Sequence, residues 1–252
     1  MKGRRTVDNY KMILQYDGSR YDGWQKQGNT ENTIQGKLEN VLERMAGTPV
    51  EVVGSGRTDA GVHALGQVAN VKLNTQKTPD EICDYLNHYL PDDIAVLQVD
   101  QVPERFHSRL NAVGKVYLYR IETASKKRVF ERKYIYGLGQ SLDLQAMGKA
   151  ADLLCGTHDF RSFCSNKNGK KSTIRTIESV KIAPVGTQLE IRISGDGFLY
   201  NMVRIMVGTL IETGLGKRHP ESMQYILEAK NRQTAGYTAP AEGLFLEKVF
   251  YK

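Results

Sequence analysis

Apolar residues recur along this chain with two periods, and each period predicts its own kind of element. Over residues 9–16 apolar and polar positions alternate, as in a strand buried on one face, and the run stops at the turn signal Asp17-Gly18. Ile34, Leu38, Val41, Leu42 and Met45 share one face of a helix, with Asn32 or Thr33 as its N-cap. Thr78-Pro79-Asp80-Glu81 forms a capping box with proline at the first helical position; it opens a helix carrying Ile82, Tyr85, Leu86 and Tyr89 that stops at Pro91. Further strands are expected over residues 50–53, 67–73, 94–102, 112–122, about 176–183, 188–194 and 244–251. Leu144, Met147, Ala151 and Leu154 mark a third helix ending near Gly156. A long apolar helix over about 199–213, closed by Gly214, and a short one over 220–229 complete the pattern.

Strands and helices are mixed without regular alternation, which argues for an α+β fold with a largely antiparallel sheet and helices covering one face. Each half carries several strands and two or three helices. A pseudo-duplicated arrangement is compatible with that order, although no repeat is visible at the level of residues. A boundary at 102–106 divides the chain into residues 1–104 and 105–252, with no Pro/Gly/Ser-rich linker to mark it.

At 252 residues, 40% hydrophobic and 25% charged, the composition is that of a soluble globular protein. No apolar run approaches the roughly 18 residues of a membrane span. The basic start, Met1-Lys2-Gly3-Arg4-Arg5, leads into no signal-type apolar stretch, so a cytoplasmic protein without a membrane partner is expected. Cys83, Cys155 and Cys164 lack metal-ligand spacing, and His158 does not complete a site, so they are expected to be structural or incidental thiols with no metal. Charge changes the picture more. Thirty-five basic residues stand against 28 acidic ones, a formal charge of +7. Arg161, Lys167, Lys170, Lys171 and Arg175 occur without an intervening acid, and Lys126-Lys127-Arg128 with Arg132 and Lys133 form a second cluster relieved only by Glu131. Either cluster alone reads as a solvated loop. Together on a basic chain they favour a nucleic-acid partner, with Arg161, Lys170 and Lys171 as candidate contacts.

The connection Gly54-Ser55-Gly56-Arg57-Thr58-Asp59-Ala60-Gly61-Val62-His63-Ala64 is too long and too polar for a tight hairpin. Polar loops held between rigid strands are where catalytic groups concentrate, and Asp59 is the first candidate. Arg57, two residues before it, falls on the same side of an extended segment. The competing reading makes Asp59 a structural Asx-turn. In Lys115-Val116-Tyr117-Leu118-Tyr119-Arg120, the two tyrosines share one sheet face; they are either core or a stacking face for a base. His63 and His107 are possible acids or bases, with hydrogen bonding and packing the favoured roles. Arg204 sits in the apolar run Met202-Val203-Arg204-Ile205-Met206-Val207, where a charge is costly unless paired. Asp59 is the obvious carboxylate partner, and such a partner would hold the carboxylate ionised and oriented as a nucleophile needs.

These pieces, taken with their spacing, resemble the tRNA pseudouridine synthase A family. The resemblance runs from Tyr16-Asp17-Gly18 and Gly23-Trp24-Gln25 through Gly56 to Ala64, Leu86-Asn87, Leu90-Pro91 and Phe106-His107-Ser108-Arg109. It continues through residues 115–119, Gly156-Thr157-His158-Asp159-Phe160, Asn201-Met202-Val203-Arg204 and Glu242-Gly243-Leu244, and so covers nearly the whole chain. Leu110-Asn111 departs from the family's usual Phe-Ser and leaves the candidate site intact.

The resemblance implies the pseudouridine synthase fold, two similar α+β halves around a central antiparallel sheet, and isomerisation of uridine at tRNA positions 38, 39 and 40 in the anticodon stem-loop. It implies that Asp59 is the catalytic aspartate, Arg204 its basic partner, and Arg57 the residue that displaces and positions the nucleotide. Tyr117 then stacks on the target uracil and Leu244 lines its pocket. A homodimer, a tRNA partner and no cofactor are further implications. A non-catalytic RNA-binding module would explain the charge and the tyrosines but not Arg57, Asp59 and Arg204. The rival among enzymes is an aspartate-dependent RNA glycosylase or nuclease; a nuclease of the metal-dependent kind would want several clustered carboxylates where this loop has one.

Overall fold

The structure, a computed structural model, describes residues 7–28, 30–165 and 172–252. The chain folds as two units, Met1–Val113 with Leu246–Lys252, and Gly114–Phe245. The first half of the sequence supplies β1 (Asp8–Tyr16), α1 (Ile34–Ala46), β2 (Val52–Gly54), β3 (His63–Leu73), α2 (Pro79–Tyr89) and β4 (Ile94–Val102). Then come β5 (Ala112–Glu122), β6 (Tyr136–Gly137), α3 (Leu144–Asp152), β7 (Gly156–Asp159), β8 (Ile174–Val185), β9 (Gln188–Gly195), α4 (Met202–Gly214), α5 (Ser222–Ala229) and β10 (Leu244–Tyr251). The class is α+β, and the described pairings of β1 with β3 and β4, β2 with β3, β5 with β9, and β8 with β7 and β9 are antiparallel. The short pairing of β5 with β6 is parallel.

In the first unit the strands run in the order β4-β1-β3-β10, with β2 pairing off β3. Alternation in β1 buries Tyr10, Met12, Leu14 and Tyr16 on one face. α2 packs along β4, and α1 against α2 and β2, closing a core of Leu38, Leu42, Ile82 and Leu86. Both helices begin as side-chain chemistry dictates. Thr33 Oγ1 accepts from the Gly36 amide, and at Thr78 and Glu81 the capping box is complete in both directions. Asn70 binds Asn9 and accepts from the Ser108 amide, while the Tyr251 hydroxyl donates to the Ser108 carbonyl at 2.6 Å. The segment Phe106-His107-Ser108-Arg109 is thus a structural tie, with Phe106 and Tyr251 rings 5.2 Å apart.

The second unit orders its strands β5-β9-β8-β7, with β6 on β5. Leu189, Ile191 and Ile193 of β9 face the core. α4 is buried on nearly every side, with Ile205, Met206, Val207, Leu210 and Ile211 all at 0% exposure, and α3 packs on it. The tail of α4 corrects the reading of its end. Gly214 is the last helical residue and is needed for space, since a Cβ there would stand 2.7 Å from Met147 Sδ. Gly216, at φ +70°, is the left-handed residue that releases the chain. Its start is also later than the pattern suggests, at Met202, because Asn201 is itself left-handed at φ 60°.

Candidate active site

Residues 55–62 connect β2 to β3, and the first unit clamps this loop from three sides. At its base, Ser55 donates from its amide to the Val68 carbonyl at 2.7 Å and from Oγ to Gln67 Oε1 at 2.7 Å. Gln67, fully buried, reaches back with Nε2 to the Gly56 carbonyl at 3.1 Å. In the middle, the Tyr16 hydroxyl and Thr58 Oγ1 share a 2.8 Å hydrogen bond inside the core, and the Trp24 amide donates to the Thr58 carbonyl at 3.0 Å. Burial pushes the Tyr16 pKa up to about 12, against the pull of its Thr58 and Gln67 hydrogen bonds, so the phenol stays protonated. On the far side, Gly18 approaches so closely that a Cβ would lie 2.0 Å from the Val62 carbonyl oxygen.

Asp59 sits half-buried at the apex of this clamped loop. Its backbone carbonyl accepts from the Val62 amide at 3.1 Å, and Gly61 takes the φ of +77° that such a turn demands. The turn is therefore closed through the main chain. Arg57 is exposed, and its Nε donates to Gln25 Oε1 at 3.0 Å. His63 is buried, its Nδ1 accepting from the Gly18 amide at 3.0 Å and standing 3.2 Å from Asp17 Oδ1. His107 Nδ1 accepts from the amides of Arg109 and Leu110, and the His107 amide donates to Asn111 Oδ1 at 2.7 Å. Both histidines thus take the hydrogen-bonding role the sequence favours, and the departing pair Leu110-Asn111 builds one of these turns.

The second unit holds the remaining candidates. Tyr117 and Tyr119 share a face of β5 but differ in use. Tyr119 is wholly buried, donates to the Pro240 carbonyl at 2.8 Å, and lies so close beneath Gly243 that a Cβ there would be 2.8 Å from its ring. Burial, then the Glu242 carboxylate, pushes its pKa up, opposed by the Arg204 charge. Tyr119 is a pillar under the turn that delivers Leu244, itself buried at 5% exposure. Tyr117 keeps 8% exposure and meets Phe198 edge-on at 5.0 Å.

Arg204 is half-buried rather than enclosed. Its Nε donates to the Ala239 carbonyl at 2.7 Å and its Nη1 to Asn201 Oδ1 at 3.2 Å, while its own carbonyl accepts from the Ala239 amide at 3.0 Å. These two acceptors, one main-chain and one side-chain, fix the orientation of the guanidinium. Gly208 and Gly236 allow the strap of residues 235–239 to lie directly on α4, for a Cβ on Gly208 would fall 2.0 Å from the Tyr237 carbonyl oxygen. Arg161 is exposed on a short 3-10 turn, Phe160–Phe163. Lys170 and Lys171, with Lys167 and the basic start of the chain, lie outside the described residues. In the second basic cluster Arg128 is engaged structurally, paired with buried Glu122 and donating to Thr187 Oγ1 at 2.9 Å. Tyr16, Gln67 and Gln25 are site-building residues that sequence patterning passes over. Only the positions of Tyr16 and Gln25 within quoted motifs signal them. No helix among the described residues is long and apolar enough to cross a membrane.

An acid and a cation on one clamped loop, with a ring and a second cation in a basic chain, are tools for chemistry on a nucleic-acid base. Comparison with known proteins supplies the family. The tRNA pseudouridine synthase family model matches residues 12–111 and 150–252. The tRNA pseudouridine synthase A of Bacillus sp. (strain KSM-64) is 54% identical over 245 residues, 97% of this chain and 100% of that protein. The tRNA pseudouridine synthase A 2 of Bacillus anthracis is 46% identical over 96% of this chain and 99% of its own length. The tRNA pseudouridine synthase A of Acetivibrio thermocellus is 43% identical with the same coverage of each, 96% and 99%. This chain belongs to the tRNA pseudouridine synthase family.

Proposed function

We propose that this protein isomerises uridine to pseudouridine in tRNA, at positions 38, 39 and 40 of the anticodon stem-loop, with Asp59 as the catalytic carboxylate and no cofactor. The observation that carries the reading is full-length kinship with tRNA pseudouridine synthases A, with an aspartate held at the apex of a main-chain-clamped loop.

The reaction breaks the N1–C1′ bond, turns the uracil, joins C5 to C1′, and moves the C5 proton to solvent while N1 gains one. Nothing is oxidised or reduced. A base in a stem must first leave the stack, at a cost of a few kcal/mol. Arg57 fills the vacated space and holds the backbone phosphate, Tyr117 stacks on the extruded ring, and Leu244 lines its pocket. Arg161, Lys170 and Lys171 neutralise phosphates on a stem read by its A-form shape. Arg204 is the cationic partner proposed for Asp59, the charge that keeps the carboxylate ionised; the Ala239 carbonyl and Asn201 orient its guanidinium. Asp59 then acts by attack at C1′ or C6, or by taking a ribose proton to give a glycal-like intermediate; each route needs an ionised carboxylate beside a cation. The protein works in the cytoplasm as a homodimer.

Carbodiimide labelling of incubated tRNA, read by primer extension, tests the activity directly. New stops immediately 3′ of positions 38–40 are expected with the protein present. Absence of any new stop would overturn the proposal.

A further inference from the structure

The motif Gly23-Trp24-Gln25 has no part in the reaction as described above, and its glutamine ends a directional chain of amides. Gln35, buried at 7% exposure on α1, spends its whole carboxamide. Its Oε1 accepts from the Lys26 amide at 2.9 Å and from Gln25 Nε2 at 2.8 Å. Its Nε2 donates to the Val52 carbonyl at 3.1 Å and to Glu39 Oε1 at 2.9 Å. Two of these partners are backbone groups, one a donor and one an acceptor, so the Gln35 amide has only one permitted orientation. Glu39, buried at 3% exposure, is fixed in turn by the Val52 amide at 3.0 Å and Lys26 Nζ at 3.1 Å.

That orientation propagates outward. Gln25 must present Nε2 to Gln35, which turns its Oε1 the other way, onto Arg57 Nε at 3.0 Å. With Nε held, four N–H groups on the terminal nitrogens remain for a ligand. We infer that Gln25 is a positioning residue for Arg57: the Glu39–Gln35–Gln25 chain sets the guanidinium in the pose that displaces the target nucleotide from its stack. An exposed arginine otherwise surrenders much of its rotamer freedom at the moment it is needed, and pre-orientation lowers that cost. The inference rests on the proposed role of Arg57 and adds to it the residue that makes the role reproducible.

A double-mutant cycle on two substrates tests it. Single-turnover pseudouridine formation is measured for the wild type, Gln25→Met, Arg57→Ala and the double variant. One tRNA has the target uridine paired; the other has it facing a mismatch, where the base is already loose. Gln25→Met keeps the side chain's length without its polar atoms, and Gln25→Ala is the second variant should Met pack badly. Loss of a hydrogen bond to a charged group predicts about a tenfold slower rate on the paired stem. On the mismatched stem the loss shrinks, because less displacement is required. Adding Gln25→Met to Arg57→Ala costs nothing further, since the glutamine acts only through the arginine. Losses that multiply in the double variant, or are equal on the two stems, overturn the inference while leaving the activity intact. A wild-type protein silent on both stems overturns the functional reading, and this inference with it.

Discussion

The Tyr16 hydroxyl shares a 2.8 Å hydrogen bond with Thr58 Oγ1, so the residue before Asp59 is anchored to the buried end of β1. Local turn geometry could shape the loop without that bond, but it could not locate the loop on the sheet. Tyr16→Phe keeps the ring and removes the anchor, leaving Thr58 Oγ1 buried without it. We expect a stability loss of about 1–3 kcal/mol, the cost of stranding a buried polar group. Turnover should fall while tRNA affinity holds. Urea denaturation and tritium release from tRNA labelled at uracil C5 measure the two effects.

Gly208 is where α4 and the strap bearing Ala239 touch. A Cβ there, 2.0 Å from the Tyr237 carbonyl oxygen, must lift the strap from the helix. Gly208→Ala is expected to destabilise by about 1–3 kcal/mol, as overpacking does. It should also slow turnover, because the strap carries the Ala239 carbonyl that receives Arg204 Nε at 2.7 Å. Denaturation curves and tritium release on the same sample check both.

Glu122 predicts how the second unit responds to acid. Burial pushes its pKa up, but the Ala124 amide, the Thr187 hydroxyl and Arg128 outweigh burial and hold it below the usual glutamate range. A carboxyl depressed in the folded state binds fewer protons there than in the unfolded chain. Its stabilising contribution is complete above the unfolded pKa of about 4.3 and is lost as pH falls through the lowered folded value. Urea midpoints measured against pH should decline more steeply below about pH 4.3 in the wild type than in Glu122→Gln. Equal slopes would remove Glu122 from the account of acid sensitivity.

Arg204→Met removes the guanidinium while keeping most of its apolar stem. Under its proposed role beside the catalytic carboxylate, turnover is expected to fall by about two orders of magnitude. tRNA affinity should stay within about threefold, since phosphate contacts elsewhere dominate binding. Single-turnover rates and filter binding separate the two, and a purely structural Arg204 would instead show its loss in thermal stability.

Much of this was legible because it is local. The capping box Thr78–Glu81, the Thr33 cap and the alternation of β1 and β9 follow from neighbours a few residues apart, and the structure has them. β7 escaped because Gly156–Asp159 has no apolar alternation and no buried residue: it is a strand only through its pairing with β8. The α4 boundaries slipped because an asparagine, not a glycine, takes the left-handed pose at Asn201, and because Gly214 answers to Met147 rather than to a turn. Asp59 and Arg57 stood out by residue type within a glycine-punctuated loop. What positions them did not. Tyr16, Gln67 and Gln35 meet the loop or its flanks only once the sheet forms, and no periodicity marks a polar side chain that the fold will spend on backbone groups.

The most direct measurement is tritium release from C5-labelled tRNA by Asp59→Asn, with tRNA binding measured in parallel. Asparagine keeps the size and polarity of the side chain and removes only its charge and basicity. The account predicts wild-type-like binding with no release above the enzyme-free rate. Release at the wild-type rate by Asp59→Asn would contradict it.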